Sequence, residues 1–149
     1  RALPAVATVE VRRDWPDTVV IEVVEREPVA AVPVDDQHLL VDADGVVIRA
    51  VAAPPRELPV LVLPQAGPEN PATQAALTVL AALTPELRAE LESLTVTDVD
   101  WITLSLSSGW TVVWGDATES LDKARVVTAL LDREGEIIDV SAPRVVSVR

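Results

Sequence analysis

The segment Trp101 to Trp114, WITLSLSSGWTVVW, limits the possible folds more than any other part of this chain. Ile102, Leu104 and Leu106 recur at every second position, Ser108-Gly109 interrupts them, and a second apolar run follows from Trp110 to Trp114. A period of two places those residues on one face of a strand, and the Ser-Gly break turns the strand back on itself. The result is a β-hairpin with one face that must be buried. The chain has 149 residues, 49% of them hydrophobic, which is enough for a sizeable core. With four tryptophans and no Phe or Tyr, Val, Leu, Ile and Ala must build most of it. Trp101, Trp110 and Trp114 around this hairpin are candidates both for sheet packing and for binding anchors.

Other segments repeat the strand signal. Val6 to Val11 and Val19 to Val24 flank Asp14-Trp15-Pro16-Asp17 and read as a hairpin. Pro28 and Pro33 bracket a short extended piece, and Leu39 to Asp42 and Val46 to Val51 form a second hairpin around Ala43-Asp44-Gly45. Leu58 to Leu63 is a strand set among six prolines, at 54, 55, 59, 64, 68 and 71, with residues 65–69 as a loop. Asn70 followed by Pro71 predicts a helix over 71–83. Thr84-Pro85-Glu86 repeats the cap signal and predicts a second helix with Leu87, Leu91 and Leu94 on its apolar face. Asp116 and Glu119 fit a capping box for a helix over 117–133, with Leu121, Ala124, Val127 and Leu131 on one face and Gly135 at its end. Ile137 to Ser141 and Arg144 to Arg149 read as two final strands broken at Ala142-Pro143. No internal repeat is visible. The reading is an α+β fold, a mostly antiparallel sheet with helices packed on it.

The chemistry-bearing residues argue against catalysis. The net charge of −12, with Lys and Arg scattered along the chain, repels nucleic acid. The absence of cysteine removes disulfides, thiolate metal sites and thiol catalysis, and five glycines form no phosphate-cradling pattern. His38 is the only histidine, and Asp35 and Asp36 beside it would suit a hydrolytic or metal site, but no nucleophile elbow accompanies them. Asp42-Ala43-Asp44-Gly45 starts like a calcium loop, yet Val51, Ala52 and Ala53 stand where the later acidic ligand belongs. Asp98 and Asp100 would share one strand face, with no acid–base partner. The expectation is no catalytic residue, no metal, no cofactor and no small-molecule substrate. No run of about 18 apolar residues is present. The chain opens on Arg1 and holds no methionine, which reads as an internal or processed fragment.

Val9 to Pro28, VEVRRDWPDTVVIEVVEREP, resembles the end of the POTRA domain of the FtsQ/DivIB cell-division family, in which a Trp-Pro or Tyr-Pro turn leads to a Glu-Arg-x-Pro junction. Here those residues are Trp15, Pro16, Glu25, Arg26 and Pro28. The resemblance continues in His38 to Gly45, in Ile102 to Gly115, in the helix around Lys123 and Arg125, and in Ile138 to Ser141, and Asp-Val-Ser-x-Pro suggests an actinobacterial member. It implies residues 1–27 as the C-terminal part of POTRA and 28–149 as a β domain with a curved sheet. It also implies a single-pass protein of the cytoplasmic membrane with this part on the extracytoplasmic side. The chain departs from the family in lacking the tail, the membrane helix and the start of POTRA, and in carrying Ser141-Ala142 where proteobacterial members have Arg-Tyr.

The terminal strand is the main candidate site. An edge strand offers free N–H and C=O groups to another chain, and the resemblance implies that this strand and the preceding helix hold FtsB, together with FtsL, in the division machinery. The expected partner-binding residues are Arg125, Ser141, Ala142, Arg144, Val145, Val146, Ser147, Val148 and Arg149. Two other functions are open at this point: an extracellular β-rich adhesion or outer-membrane assembly module, and a hydrolase using His38.

Overall fold

The computed structural model describes residues 3–142 and 145–149. Strands β1 (Val6–Asp14) and β2 (Thr18–Glu25) pair antiparallel as a separate two-stranded ribbon. The turn between them is the predicted Trp-Pro turn. β3 (Ala30–Val34), β4 (Gln37–Val41) and β5 (Val47–Val51) follow as a meander. Asp35, at φ +50°, and Asp36 make the tight turn between β3 and β4, a conformation that Asp tolerates. β6 (Val60–Val62), α1 (Pro71–Ala82) and α2 (Pro85–Glu90) come next. The chain ends with β7 (Leu91–Asp98), β8 (Trp101–Leu106), β9 (Thr111–Gly115), α3 (Ser120–Leu130), β10 (Ile137–Asp139) and β11 (Ser147–Val148).

These strands form one nine-stranded sheet in the order β11-β10-β9-β8-β7-β6-β3-β4-β5. Its pairings are antiparallel except at β3–β6, β6–β7 and β9–β10, so the expected α+β, mostly antiparallel architecture is correct. The helices pack on one face, where Leu61, Leu94, Leu104 and Val112 meet Ala76, Leu80, Leu87 and Val127 in one core cluster. Asn70 caps α1 by accepting from the N–H groups of Ala72 and Thr73, as predicted. Thr84 caps α2 through Leu87 N–H, and its hydroxyl also meets that of Thr128 at 2.8 Å, tying α2 to α3.

Several expectations are corrected. Leu91 and Leu94 do not continue α2; they belong to β7, a strand the sequence reading did not foresee. A bulge between Leu91 and Ser93 lets two residues three apart share the buried face, which imitates helical spacing. Asp98 closes β7 and Asp100 sits in the turn before β8, so the two do not share a strand face. α3 covers residues 120–130, short of the predicted 117–133. The capping box does not form: Glu119 is left-handed at φ +53° and makes no side-chain cap, while Asp116 accepts from Thr118 N–H and Oγ1–H. Leu121 is 62% exposed; the buried stripe of α3 is Ser120, Lys123, Ala124 and Val127. Gly135 serves close packing, since a Cβ there would lie 2.6 Å from the Trp110 ring and 2.9 Å from Val148.

Candidate partner-binding edge

Among the described residues β11 is the last strand of the sheet on this side. It pairs with β10 through Ile138 opposite Val148 and Asp139 opposite Ser147. Arg149 N–H donates to the Ile137 carbonyl and Ile137 N–H to the Arg149 carbonyl, both at 3.0 Å, and Glu136 N–H reaches the same Arg149 carbonyl at 2.7 Å. Arg149 therefore faces β10 with both its main-chain groups. By strand alternation Val148 turns its N–H and C=O to the open side. The paired strand is two residues long, shorter than the six predicted. Val145 is 69% and Val146 40% exposed, whereas Ser147 and Val148 are half-buried.

The approach to this edge is fixed by a turn. Ser141 N–H and Oγ–H both donate to Asp139 Oδ1, at 3.0 and 2.6 Å, reversing the chain after β10. Gly115 admits that turn: its φ is +78°, and a Cβ on it would stand 2.9 Å from the Ser141 Cβ. Ala142 is exposed and its carbonyl accepts from Val145 N–H at 3.1 Å. Arg144, the remaining predicted contact on the strand, lies outside the described residues.

α3 runs beside this edge with two distinct flanks. Glu119, Asp122, Lys123 and Val126 form a narrow groove with Val140, Ala142 and Val146. Arg125 lies on the other flank, over a shallow depression shared with Leu121 and with Thr78, Ala81 and Ala82 of α1. The two depressions adjoin, sharing Glu119 and Asp122, with Arg125 lining the one toward α1 and Val146 the other. Arg125 pairs with Asp122 at 3.2 Å, and both side chains are at least 75% exposed, so the pair is screened and worth little. Val126 was missed by the sequence reading. It is an apolar residue one step off the Ala124–Val127 stripe, which is the signal that would have found it.

Behind the groove an ion pair holds the start of α3. Lys123 Nζ is buried and donates to both the carbonyl and Oδ1 of Asp116, each at 3.0 Å. The Thr118 hydroxyl and then Lys123 hold the Asp116 carboxyl below the usual aspartate range, against an opposing effect of partial burial. Trp114 Nε1–H donates to Ser120 Oγ at 3.2 Å and joins the same helix end to the core.

Of the other sequence candidates, His38 lies half-buried on β4, and its Nδ1 makes no hydrogen bond among the described residues. Asp42 is buried and organises the β4–β5 turn, accepting from the N–H groups of Asp44 and Val46 through Oδ1. Among the described residues no group of three or more His, Asp or Glu is arranged to hold a metal ion, and no helix is long and apolar enough to cross a membrane. Trp110 and Trp114 belong to the core, while Trp15 and Trp101 are 85% and 54% exposed.

The class this geometry defines is an α+β sheet module with an open edge, set behind a short β-ribbon. Residues 30–141 match the C-terminal family of the cell division protein FtsQ/DivIB, and residues 1–26 match the FtsQ-type POTRA domain. The chain is 38% identical over 148 residues to the cell division protein FtsQ of Mycobacterium leprae, covering 99% of this chain and 43% of that protein. It is 40% identical over 144 residues to FtsQ of Mycolicibacterium smegmatis (97% and 43% covered) and 37% over 152 residues to FtsQ of Streptomyces bingchenggensis (95% and 57%). The chain belongs to the FtsQ/DivIB family of bacterial cell division proteins. It spans 43% of the length of the two mycobacterial relatives. In fold it is similar to the major extracytoplasmic domain of the trans isomer of DivIB from Geobacillus stearothermophilus, with a TM-score of 0.55, 18% identity, and 74% of this chain and 98% of that one covered.

Proposed function

We propose that this chain is a non-enzymatic scaffold of the bacterial division machinery that binds FtsB, with FtsL, by adding a strand of the partner to β11 during septum formation. In this reading residues 1–27 are the end of a POTRA domain and 28–149 the β domain. The parent is a single-pass protein of the cytoplasmic membrane with both parts on its outer side. The observation that carries the reading is the outward main chain at Val148, close to a groove lined in part by Val126, Val140 and Val146. Main-chain pairing would supply much of the affinity, and side chains next to the edge would set register and choice of partner. Glu119 and Asp122 border both depressions beside α3, and the predicted contacts Arg125, Arg144 and Arg149 are the cations that would select acidic partner residues. A pull-down from native membranes with the parent protein tests the reading. Recovery of an FtsB-like coiled-coil protein, lost when Val148 is replaced by proline, is the expected result. Equal recovery with both forms contradicts it.

A further inference from the structure

The ribbon and the nine-stranded sheet are connected by very little. The last backbone hydrogen bond of the ribbon runs from Arg26 N–H to the Ala5 carbonyl at 2.9 Å, and the first of the sheet from Val29 N–H to the Val41 carbonyl at 2.8 Å. Only Glu27 and Pro28 lie between them. Among the described residues no hydrogen bond or ion pair joins residues 3–25 to residues 30–149, so the junction itself must set the angle between the two parts. Arg26 spans it. Its main chain belongs to the ribbon, while its guanidinium, largely buried, pairs with Oδ2 of the buried Asp42 and lies 3.7 Å from Asp44. Asp42 is itself immobilised, because its Oδ1 accepts from Asp44 N–H at 3.0 Å and Val46 N–H at 2.8 Å in the β4–β5 turn. That turn is tied in its turn to α1, where Gln74 Nε2 donates to the carbonyls of Asp44 and Pro68.

We infer that Arg26 and Asp42 form a hinge lock, a side-chain clamp across the Glu27-Pro28 link that holds the ribbon at one orientation to the sheet. Each part of the arrangement contributes. Pro28 restricts its own φ and the conformations of Glu27, so the backbone link is already stiff. The carboxylate is oriented before Arg26 reaches it, so forming the pair costs little side-chain ordering. Because the pair is shielded from solvent, salt screens it less than the exposed Arg12–Glu10 pair of the ribbon. The consequence is that a partner contacting the ribbon and one contacting the sheet would meet surfaces at a set angle, released when the clamp opens. This inference is independent of what binds β11.

The chain has no cysteine, so paired spin labels can be placed cleanly at Thr18→Cys on the ribbon and Thr97→Cys on β7. Two variants separate the clamp from general damage. Arg26→Ala removes the cation, whereas Asp42→Asn keeps an oxygen for the β4–β5 turn and replaces the oxygen facing Arg26 with an amide donor. The labelled 149-residue chain should give one narrow distance distribution, and both variants a distribution at least about twofold broader, with circular dichroism and the sheet's unfolding transition still cooperative. Adding 1 M salt should broaden the parent distribution much less than either substitution does. Distributions as narrow in both variants as in the parent would overturn the lock, and so would a parent distribution already as broad as theirs.

Discussion

Two hairpins of this protein have nearly the same sequence logic and opposite fates. In the β1–β2 ribbon, Val9, Val11, Val19, Ile21 and Val23 fall on one face by register, and every one of them is more than half exposed. In β8–β9, Ile102, Leu104, Leu106, Val112 and Trp114 fall on one face as well, and all are buried. Alternation specifies that a strand has an apolar side but leaves open what will cover it. For β8–β9 the cover is α1, α2 and α3, supplied by the same chain through longer-range contacts. For β1–β2 no element among the described residues takes that place, and a two-stranded ribbon without a covered face is marginal in water.

If burial is what separates the two, amide exchange should differ most. Ribbon amides are expected to exchange at least about 100-fold faster than those of Trp101 to Gly115, since local opening of the ribbon breaks few packed contacts. Equal protection would mean that the ribbon's apolar face is covered after all. Truncation should show the same contrast in stability. Trp114→Ala removes a fully buried ring and is expected to cost about 3–5 kcal/mol in chemical denaturation. Trp15→Ala, at a site 85% exposed, should stay within about 0.5 kcal/mol. At Gly135 a single added methyl should cost about 1–3 kcal/mol by pushing on Trp110 and Val148, and it should raise exchange at β11 selectively.

The smallest effect concerns pH. Asp116 has a depressed pKa in the folded protein, held there by Thr118 and Lys123, so its contribution to stability is present above the ordinary aspartate value of about 4 and is lost as pH falls through the depressed one. Asp116→Asn should therefore be less stable than the parent near pH 7, and the gap should close in acid. A gap independent of pH would assign the loss to packing around Lys123 instead of to the charge.

Most of the fold was legible because the elements that alternate also bury what alternates. The Trp101–Trp114 hairpin, the Asn70-Pro71 start of α1 and the Asp44-Gly45 turn all appear where the residues place them. The failures have local causes. β7 was hidden by a bulge that spaces Leu91 and Leu94 like helix residues. The start of α3 was misread because Asp116 makes a turn with Thr118 and a pair with Lys123 in place of a capping box. At the candidate site a final strand was legible from the valines at 145, 146 and 148, and its pairing covers Ser147–Val148. Which depression Arg125 borders was not legible, because that depends on how α3 packs against its neighbours, and the helix pattern alone does not reveal them. The clamp at Arg26 was invisible for the same reason, since Asp42 is sixteen residues away.

The docking of a partner strand on β11 is tested most directly by titrating a peptide from the C-terminal region of an FtsB-like protein against four folded forms of the chain. These are the parent, Val148→Ala, Val148→Pro and Arg125→Glu. Proline at 148 deletes an outward main-chain donor and should weaken binding at least about tenfold, roughly 1.4 kcal/mol or more, while alanine at the same place should cost much less. Charge reversal at the solvated Arg125–Asp122 pair should change affinity by less than about 1 kcal/mol. Binding of the Val148→Pro form at parental affinity, or a loss at Arg125→Glu larger than that at Val148→Pro, would contradict strand addition at this edge.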